Sequence, residues 1–213
     1  MRAHVTGIIL AAGRASRMGE AKQLIEIDGR PMLAHVIAAA AASTLEAIVV
    51  VLGHEAARVR EAMLASQCLA GGALDRVRFV ENDAFETGQS ASLVAGLRAA
   101  AGAGAVAILL GDEPDIEAAA INRVLEAYRR ADTTVTPIVR VVYRGGDRGG
   151  AGHAPGHPVV FDQSVWWELE RLTGDTGART VIAADAGRVL CVEVEGPPPR
   201  DVDTPRDLSR RER

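Results

Sequence analysis

Hydrophobic positions along the chain switch repeatedly between two periods. Val5 to Leu10 places β-branched and aliphatic residues on both alternating faces, the pattern of a strand buried on both sides in a parallel sheet. AIVVVLG (47–53) is a second buried strand, and VRFVE (77–81) and AVAILLG (105–111) read as a third and a fourth strand. Between these runs apolar residues recur at helical spacing: Met32, Leu33, Val36 and Ile37 behind a first-turn Pro31, then EAARVREAMLA (55–65), then Leu93, Val94 and Leu97, then Ile121, Val124, Leu125 and Tyr128. Strands alternating with helices predict right-handed βαβ units, and so an α/β domain with a mainly parallel sheet and helices on both faces. The second half is less regular. VTPIVRVVY (135–143) and HPVVF (157–161) read as strands around a glycine-rich loop, QSVWWELERL (163–172) as a helix and VLCVEVE (189–195) as a last strand. Trp166 and Trp167 share helical spacing with Leu169 and Leu172, which places at least one of them in the core. Pro197 to Pro199 then force an extended exit.

Length and composition narrow the picture. A chain of 213 residues fills one substantial domain, and no linker divides it. A net charge of -4 leaves no nucleic-acid footprint, so basic residues matter only locally. Cys68 and Cys191 form no CxxC or Cys/His cluster, which argues for a reducing compartment and against structural zinc; both read as small buried or half-buried hydrophobes. The longest apolar stretch is broken by Ser43, Thr44 and Glu46, and no charged-then-apolar segment opens the chain. A soluble, cytoplasmic protein with no membrane partner is the expectation.

The local chemistry begins where the first strand stops. In ILAAGRASRMGEAK (9–22), Gly13 and Gly19 permit close backbone approach, exposed amides can point at an anion, and Arg14, Arg17 and Lys22 add positive charge. A polyphosphate ligand and a basic surface turn both fit. The stretch is not a P-loop, because the lysine follows Gly19 three residues late, and it holds no Gly-x-Gly-x-x-Gly. In an open α/β sheet the loops at the carboxyl ends of the strands converge, which brings ENDAFETGQSASL (81–93) and GDEPDI (111–116) to the same edge. Asp112, Glu113 and Asp115 would repel a nucleotide unless Mg²⁺ bridges them; alternatively Asp112 and Asp115 cap the next helix. In DVDTPRDL (201–208), Thr204, Pro205 and Asp207 read as a helix cap. Asp201 and Asp203 are left over, as a second carboxylate source or as solvated loop acids.

The ordered motifs LAAGRASRMGEAK, DGRPML, GQSASL, GDEP, GHPVVF, GDTGAR and DVDTP, spanning Leu10 to Pro205, resemble those of the nucleotidyltransferases related to molybdenum cofactor cytidylyltransferase and its guanylyltransferase relative. That resemblance implies a Rossmann-like nucleotidyltransferase fold with a mixed, mostly parallel sheet. It implies Mg²⁺-dependent transfer of a nucleoside monophosphate from an NTP to the phosphate of molybdopterin, releasing pyrophosphate. The backbone of Leu10, Ala11, Ala12 and Gly13 would hold the nucleotide, and Arg17 and Lys22 would neutralise its phosphates. Asp112 would ligate Mg²⁺, with Asp203 the second carboxylate and Asp201 the reserve. No protein nucleophile is needed, so the lack of a Ser-His-Asp or Cys-His arrangement is no objection.

Gln89, Ser90 and Ser92 are candidates for contacts to base or ribose, with helix capping as the alternative for the serines. His157 and Arg179 fall on the acceptor side by the same resemblance; His157 is alternatively a turn residue, and Asp175 a helix cap. Ala12 stands where guanylyl relatives carry glycine, and its methyl favours a pyrimidine, hence CTP over GTP. Glu113 and Asp115 make the edge more acidic than the family pattern, and the loop between Arg144 and Gly156 is longer. Rich in glycine and basic residues, that loop is either a lid over an anionic acceptor or a passive insertion. The acceptor is alternatively a sugar phosphate or another phosphorylated metabolite. From a different class, a nucleotide-binding chaperone delivering cofactor to an apo-molybdoenzyme also fits.

Overall fold

The computed structural model describes residues 4–13, 21–66, 73–145, 153–204 and 207. The chain runs β1 (Val5–Ala11), a short hairpin of β2 (Glu26–Ile27) and β3 (Arg30–Pro31), α1 (Met32–Ala41), β4 (Ala47–Leu52), α2 (Ala56–Ala65), β5 (Val77–Glu81), α3 (Gln89–Ala99), β6 (Ala105–Leu110), α4 (Ala118–Arg130), β7 (Ile138–Arg144), β8 (His153–Asp162), α5 (Trp166–Glu170), α6 (Arg179–Ala184) and β9 (Val189–Glu195). The main sheet has seven strands in the order β5-β4-β1-β6-β8-β7-β9. Neighbours are parallel except where β8 pairs antiparallel with both β6 and β7. This is the expected α/β architecture, mixed and mostly parallel.

Alternation along the strands divides the core between two faces. On one, Ile9, Val50, Leu109 and Val139 pack with residues of α1, α2 and α4, such as Leu33, Met63 and Leu125. On the other, Ile8, Val51, Ile108 and Phe161 meet Leu93 and Leu97 of α3, Trp166 and Leu169 of α5 and Val181 of α6. The central strands are buried on both sides because both faces carry helices, which is why their sequences show continuous apolar runs.

Several local expectations change. The segment 163–172 is a 3-10 turn, Gln163–Val165, followed by a shorter helix; the Asp162 carboxylate accepts from the Ser164 N–H and tightens the entry. Trp166 is buried and its Nε1 donates to the Phe161 carbonyl at 3.2 Å, whereas Trp167 is exposed. The strand expected from 135 begins at Ile138, since Val135 lies outside the core. Cys191 is exposed, not buried, because alternate residues of the edge strand β9 face outward. Cys68 lies outside the described residues. No helix among those described is long and apolar enough to cross a membrane.

Candidate functional site

The chain builds outward from β1 through β4 to β5, then returns to place β6 on the other side of β1. Such a reversal opens a crevice at the carboxyl ends of the two central strands. Two adjoining cavities lie there. One, of about 400 Å³, is lined by Ala11, Ala12, Gly13, Lys22, Gln89 and Asp112 among others. The second, of about 780 Å³, includes Glu113, Arg140, His157, Arg179 and Asp201. Leu10, Gln89, Leu110 and Asp175 line both.

A close backbone contact borders the smaller cavity at Gly88. Gly88, at φ +120°, leads into α3, and a Cβ there would stand 2.2 Å from the Gly174 carbonyl carbon. Only glycine permits this approach. The Gly174 carbonyl accepts from the Ser90 N–H at 3.1 Å and from the Ser90 hydroxyl at 2.8 Å. Ser90 thus ties the start of α3 to Gly174 and lines neither cavity. Ser92 lines the smaller cavity, but its hydroxyl accepts from Asn82 Nδ2 at 3.1 Å. Gln89 of this trio is left facing both cavities.

Lys22 lines the smaller cavity. Its Nζ lies 2.6 Å from Asp112 Oδ2 and 2.9 Å from Asp203 Oδ1. Burial works against its charge, but the two carboxylates more than offset that and hold its pKa above the ordinary lysine value. Asp203 is brought in by the segment before it: the Val202 N–H donates to the Asp112 carbonyl at 3.0 Å, and the buried Val202 side chain packs with Ile27 and Met32. Asp207 accepts from both the N–H and the hydroxyl of Thr204 at 2.8 Å, the local cap read in the sequence. Asp112 and Asp115 do not cap α4, whose N-cap is Glu117 without a side-chain bond; Asp115 pairs with Arg200 at 3.5 Å. Asp175 likewise caps no helix, since Ala178 holds that position before α6.

Gln23 is a site residue that motif reading passes over. Buried beside Lys22, its Nε2 donates to the Ala11 carbonyl at 2.7 Å and the Gly13 carbonyl at 3.3 Å, bracing the end of β1. Gln23 directly precedes Leu24 and Ile25, and nothing in that pattern marks its buried role. Arg17, with Arg14 and Gly19, lies outside the described residues.

On the side of the larger cavity, Glu113 is buried. Its Oε1 lies 2.9 Å from His157 Nδ1, while Oε2 has no hydrogen-bond partner. The His157 carbonyl accepts from Tyr143 Oη at 2.8 Å. The surrounding protein and the carboxylates of Glu113, Asp112 and Asp203 raise the Asp201 pKa, against the influence of His157.

The oxygen donors fit a hard divalent cation. Asp112 and Asp203 already converge on one positive centre, the Lys22 ammonium, and the acids around Asp201 leave local negative charge. Among the described residues no group of three or more His, Cys, Asp or Glu is placed to hold an ion by itself. Mg²⁺ needs none, since it takes one or two carboxylates and completes its shell with phosphate oxygens and water.

A switch-point crevice lined by Lys22 and by carboxylates on a mixed sheet suits a protein that binds a nucleotide at the carboxyl ends of its strands. Residues 7–189 match the MobA-like NTP transferase domain, and the chain belongs to that family. It is 37% identical over 188 residues to the bifunctional protein GlmU of Xylella fastidiosa, covering 87% of this chain and 37% of that protein. The GlmU of Symbiobacterium thermophilum is 32% identical over 135 residues, 62% of this chain and 26% of the relative. The chain therefore spans only about a quarter to a third of these curated relatives. Rv0371c from Mycobacterium tuberculosis superposes with a TM-score of 0.78 at 29% identity, over 100% of this chain and 98% of that one. Its complex with manganese gives 0.70 at 31% identity, covering 98% and 97%. A nucleotidyl transferase from Methanothermobacter gives 0.71 at 26%, covering 97% and 94%.

Proposed function

We propose that the protein transfers CMP from CTP to the phosphate of molybdopterin, releasing pyrophosphate, with Mg²⁺ as its cation. The observation that carries this reading is the position of Lys22, which lines the smaller cavity and is held there between Asp112 and Asp203. The smaller cavity takes the nucleotide and the larger one the acceptor. An acceptor phosphate oxygen forms a bond to the α-phosphorus as the bond from that phosphorus to the bridging oxygen breaks, and the electron pair leaves with pyrophosphate. Nothing in the protein needs to be acylated or phosphorylated.

The backbone of Leu10 to Gly13, braced by Gln23, positions the nucleotide, and Lys22 stabilises charge developing on the departing phosphates. Arg17 adds charge from the same loop. Asp112 and Asp203 would hold Mg²⁺, which when bound polarises phosphoryl oxygens and offsets their charge. Gln89, which lines both cavities, is placed to contact base or ribose, with Ser92 beside it. His157 and Arg179 face the acceptor.

The manganese complex of Rv0371c favours a divalent cation, and the MobA-like family favours an NTP donor. Pyrophosphate release from purified protein with CTP, Mg²⁺ and molybdopterin tests the reading. Release with molybdopterin and not with sugar phosphates supports it; release only with a sugar phosphate moves the acceptor to that class. Nucleotide binding without release with any acceptor favours the cofactor-delivery role.

A further inference from the structure

The larger cavity holds two cations that its own acids do not neutralise. Arg140 of β7 is in register with Val159 of β8, which is in register with Ile108 of β6. It shares the sheet face of Ile138, the face covered by α3, α5 and α6. Arg179 opens α6 over that face and lines the same cavity. Among the described residues neither arginine has a salt-bridge partner, and Arg140 Nε is buried with no hydrogen bond.

The contrast with two other arginines sharpens this. Arg129 and Arg188 also bury an unbonded Nε, but their guanidinium ends reach Glu46 at 3.0 Å and Glu168 at 2.6 Å. Arg140 has no such relief. Burial disfavours its charge; nearby Cys191 opposes that and Arg179 adds to it. A half-buried guanidinium beside a second one is costly unless an anion joins them. The cavity supplies room for that anion.

The opposite end of the cavity has the opposite sign. Glu113, with its unbonded Oε2, and Asp201 line it near Asp112. Asp112 follows Ile108 by four residues, and Arg140 lies level with Ile108 two strands away. With strands about 4.8 Å apart and a rise of about 3.4 Å per residue, the backbones of Arg140 and Asp112 are roughly 17 Å apart. The cavity therefore orients an elongated ligand by charge along its length.

We propose that Arg140 and Arg179 form a distal anchor for the acceptor, gripping a second anionic or strongly hydrogen-bond-accepting group remote from the phosphate that attacks CTP. The acceptor class this defines carries a terminal phosphate at one end. At the other it carries a second anionic or strongly hydrogen-bond-accepting group, which guanidinium N–H donors read. A compact phosphate ester lacking that second group gains nothing from the pair. The inference rests on assigning the larger cavity to the acceptor.

Two measurements test it and separate its failure from that of the assignment. In the first, the nucleotide cavity is filled with a non-hydrolysable CTP analogue and Mg²⁺, and inorganic phosphate is titrated calorimetrically. Wild-type protein is expected to bind it saturably; Arg140→Gln and Arg179→Gln should each weaken binding at least tenfold, and Arg140→Lys should recover part of the loss. Absent binding in wild type, or equal binding in Arg140→Gln, overturns the anchor. In the second, steady-state kinetics with molybdopterin should show KM for the acceptor raised at least tenfold in Arg140→Gln, with kcat and the KM for CTP within twofold. Lost phosphate binding with an unchanged acceptor KM also overturns the anchor, since the anion is then not part of the acceptor. If molybdopterin is no substrate at all, the acceptor assignment fails while the phosphate titration still decides the anion site.

Discussion

Lys22 Nζ and Asp112 Oδ2 meet at 2.6 Å although 90 positions separate them in the chain. One follows the loop after β1 and the other the loop after β6, so the contact joins the two sides of the crevice. Removing either end should strike chemistry harder than folding. Asp112→Asn and Asp203→Asn are expected to lower turnover by about two orders of magnitude or more, since both would hold the cation. Lys22→Ala should cost about 10²-fold or more in kcat/KM for the nucleotide. Pyrophosphate release measures each, with circular dichroism confirming the fold; wild-type rates in Asp203→Asn would shift the second carboxylate to Asp201.

Base preference should follow a single methyl. Ala12 lines the nucleotide cavity and is buried, so CTP is expected to exceed GTP in kcat/KM. Ala12→Gly should narrow that gap by about 10-fold or more, the scale of one methylene's worth of space. Competition between the two nucleotides at matched concentration gives the ratio directly. A wild-type preference for GTP would remove the cytidylyl assignment and leave nucleotidyl transfer in place.

Gly88 should be intolerant of any side chain. A Cβ there would stand 2.2 Å from Gly174, and the φ of +120° is unfavourable for other residues. Gly88→Ala is expected to destabilise the protein by about 3 kcal/mol through overpacking and backbone strain. For a chain of this size that corresponds to a fall in Tm of about 6–12 °C. Thermal unfolding of Gly102→Ala is a useful comparison, because Gly102 also has positive φ but meets nothing within 4 Å; its loss should be smaller.

A bidentate ion pair on the α5 face of the sheet predicts a pH signature. Arg188 reaches both oxygens of Glu168, at 2.6 and 2.9 Å, tying α5 to the start of β9. Hydrogen bonding from Arg188 lowers the Glu168 pKa despite the cost of burial. A folded-state pKa below the unfolded one contributes stability at neutral pH that is lost as pH falls through the folded value. Glu168→Gln should therefore cost about 1 kcal/mol at pH 7, and its deficit against wild type should close on acidification below pH of about 4. Urea unfolding at several pH values measures this; a constant deficit would show that the pair contributes packing alone.

The legible and illegible parts of the fold differ in length and surroundings. β1, β4 and β6 follow the hydrophobic pattern, because strands covered on both faces leave unbroken apolar runs; the edge strand β5 was legible from Val77, Phe79 and Val80, and the helices between from their own period. The β2–β3 hairpin has strands of two residues each, too short for any period to register. α6, Arg179–Ala184, is a short helix whose buried residue is Val181, so it has no amphipathic stripe to read. Within the site, Lys22, Asp112 and Asp203 were legible from ordered motifs. The Glu113–His157 contact and the neighbourhood of Arg140 and Arg179 were not, because each joins separate parts of the chain without a shared motif. Arg17 and residues 146–152 of the lid candidate fall outside the described residues.

The division of the crevice into two chambers has a consequence for how such a protein diverges. Leu10, Gln89, Leu110 and Asp175 line both, and the rest of each wall can be redecorated without touching the other. On the proposed assignment of the base to one chamber and the acceptor to the other, each choice is heritable as a separate trait. The Gly88–Gly174 packing beside the smaller chamber is the part that leaves no room for a side chain.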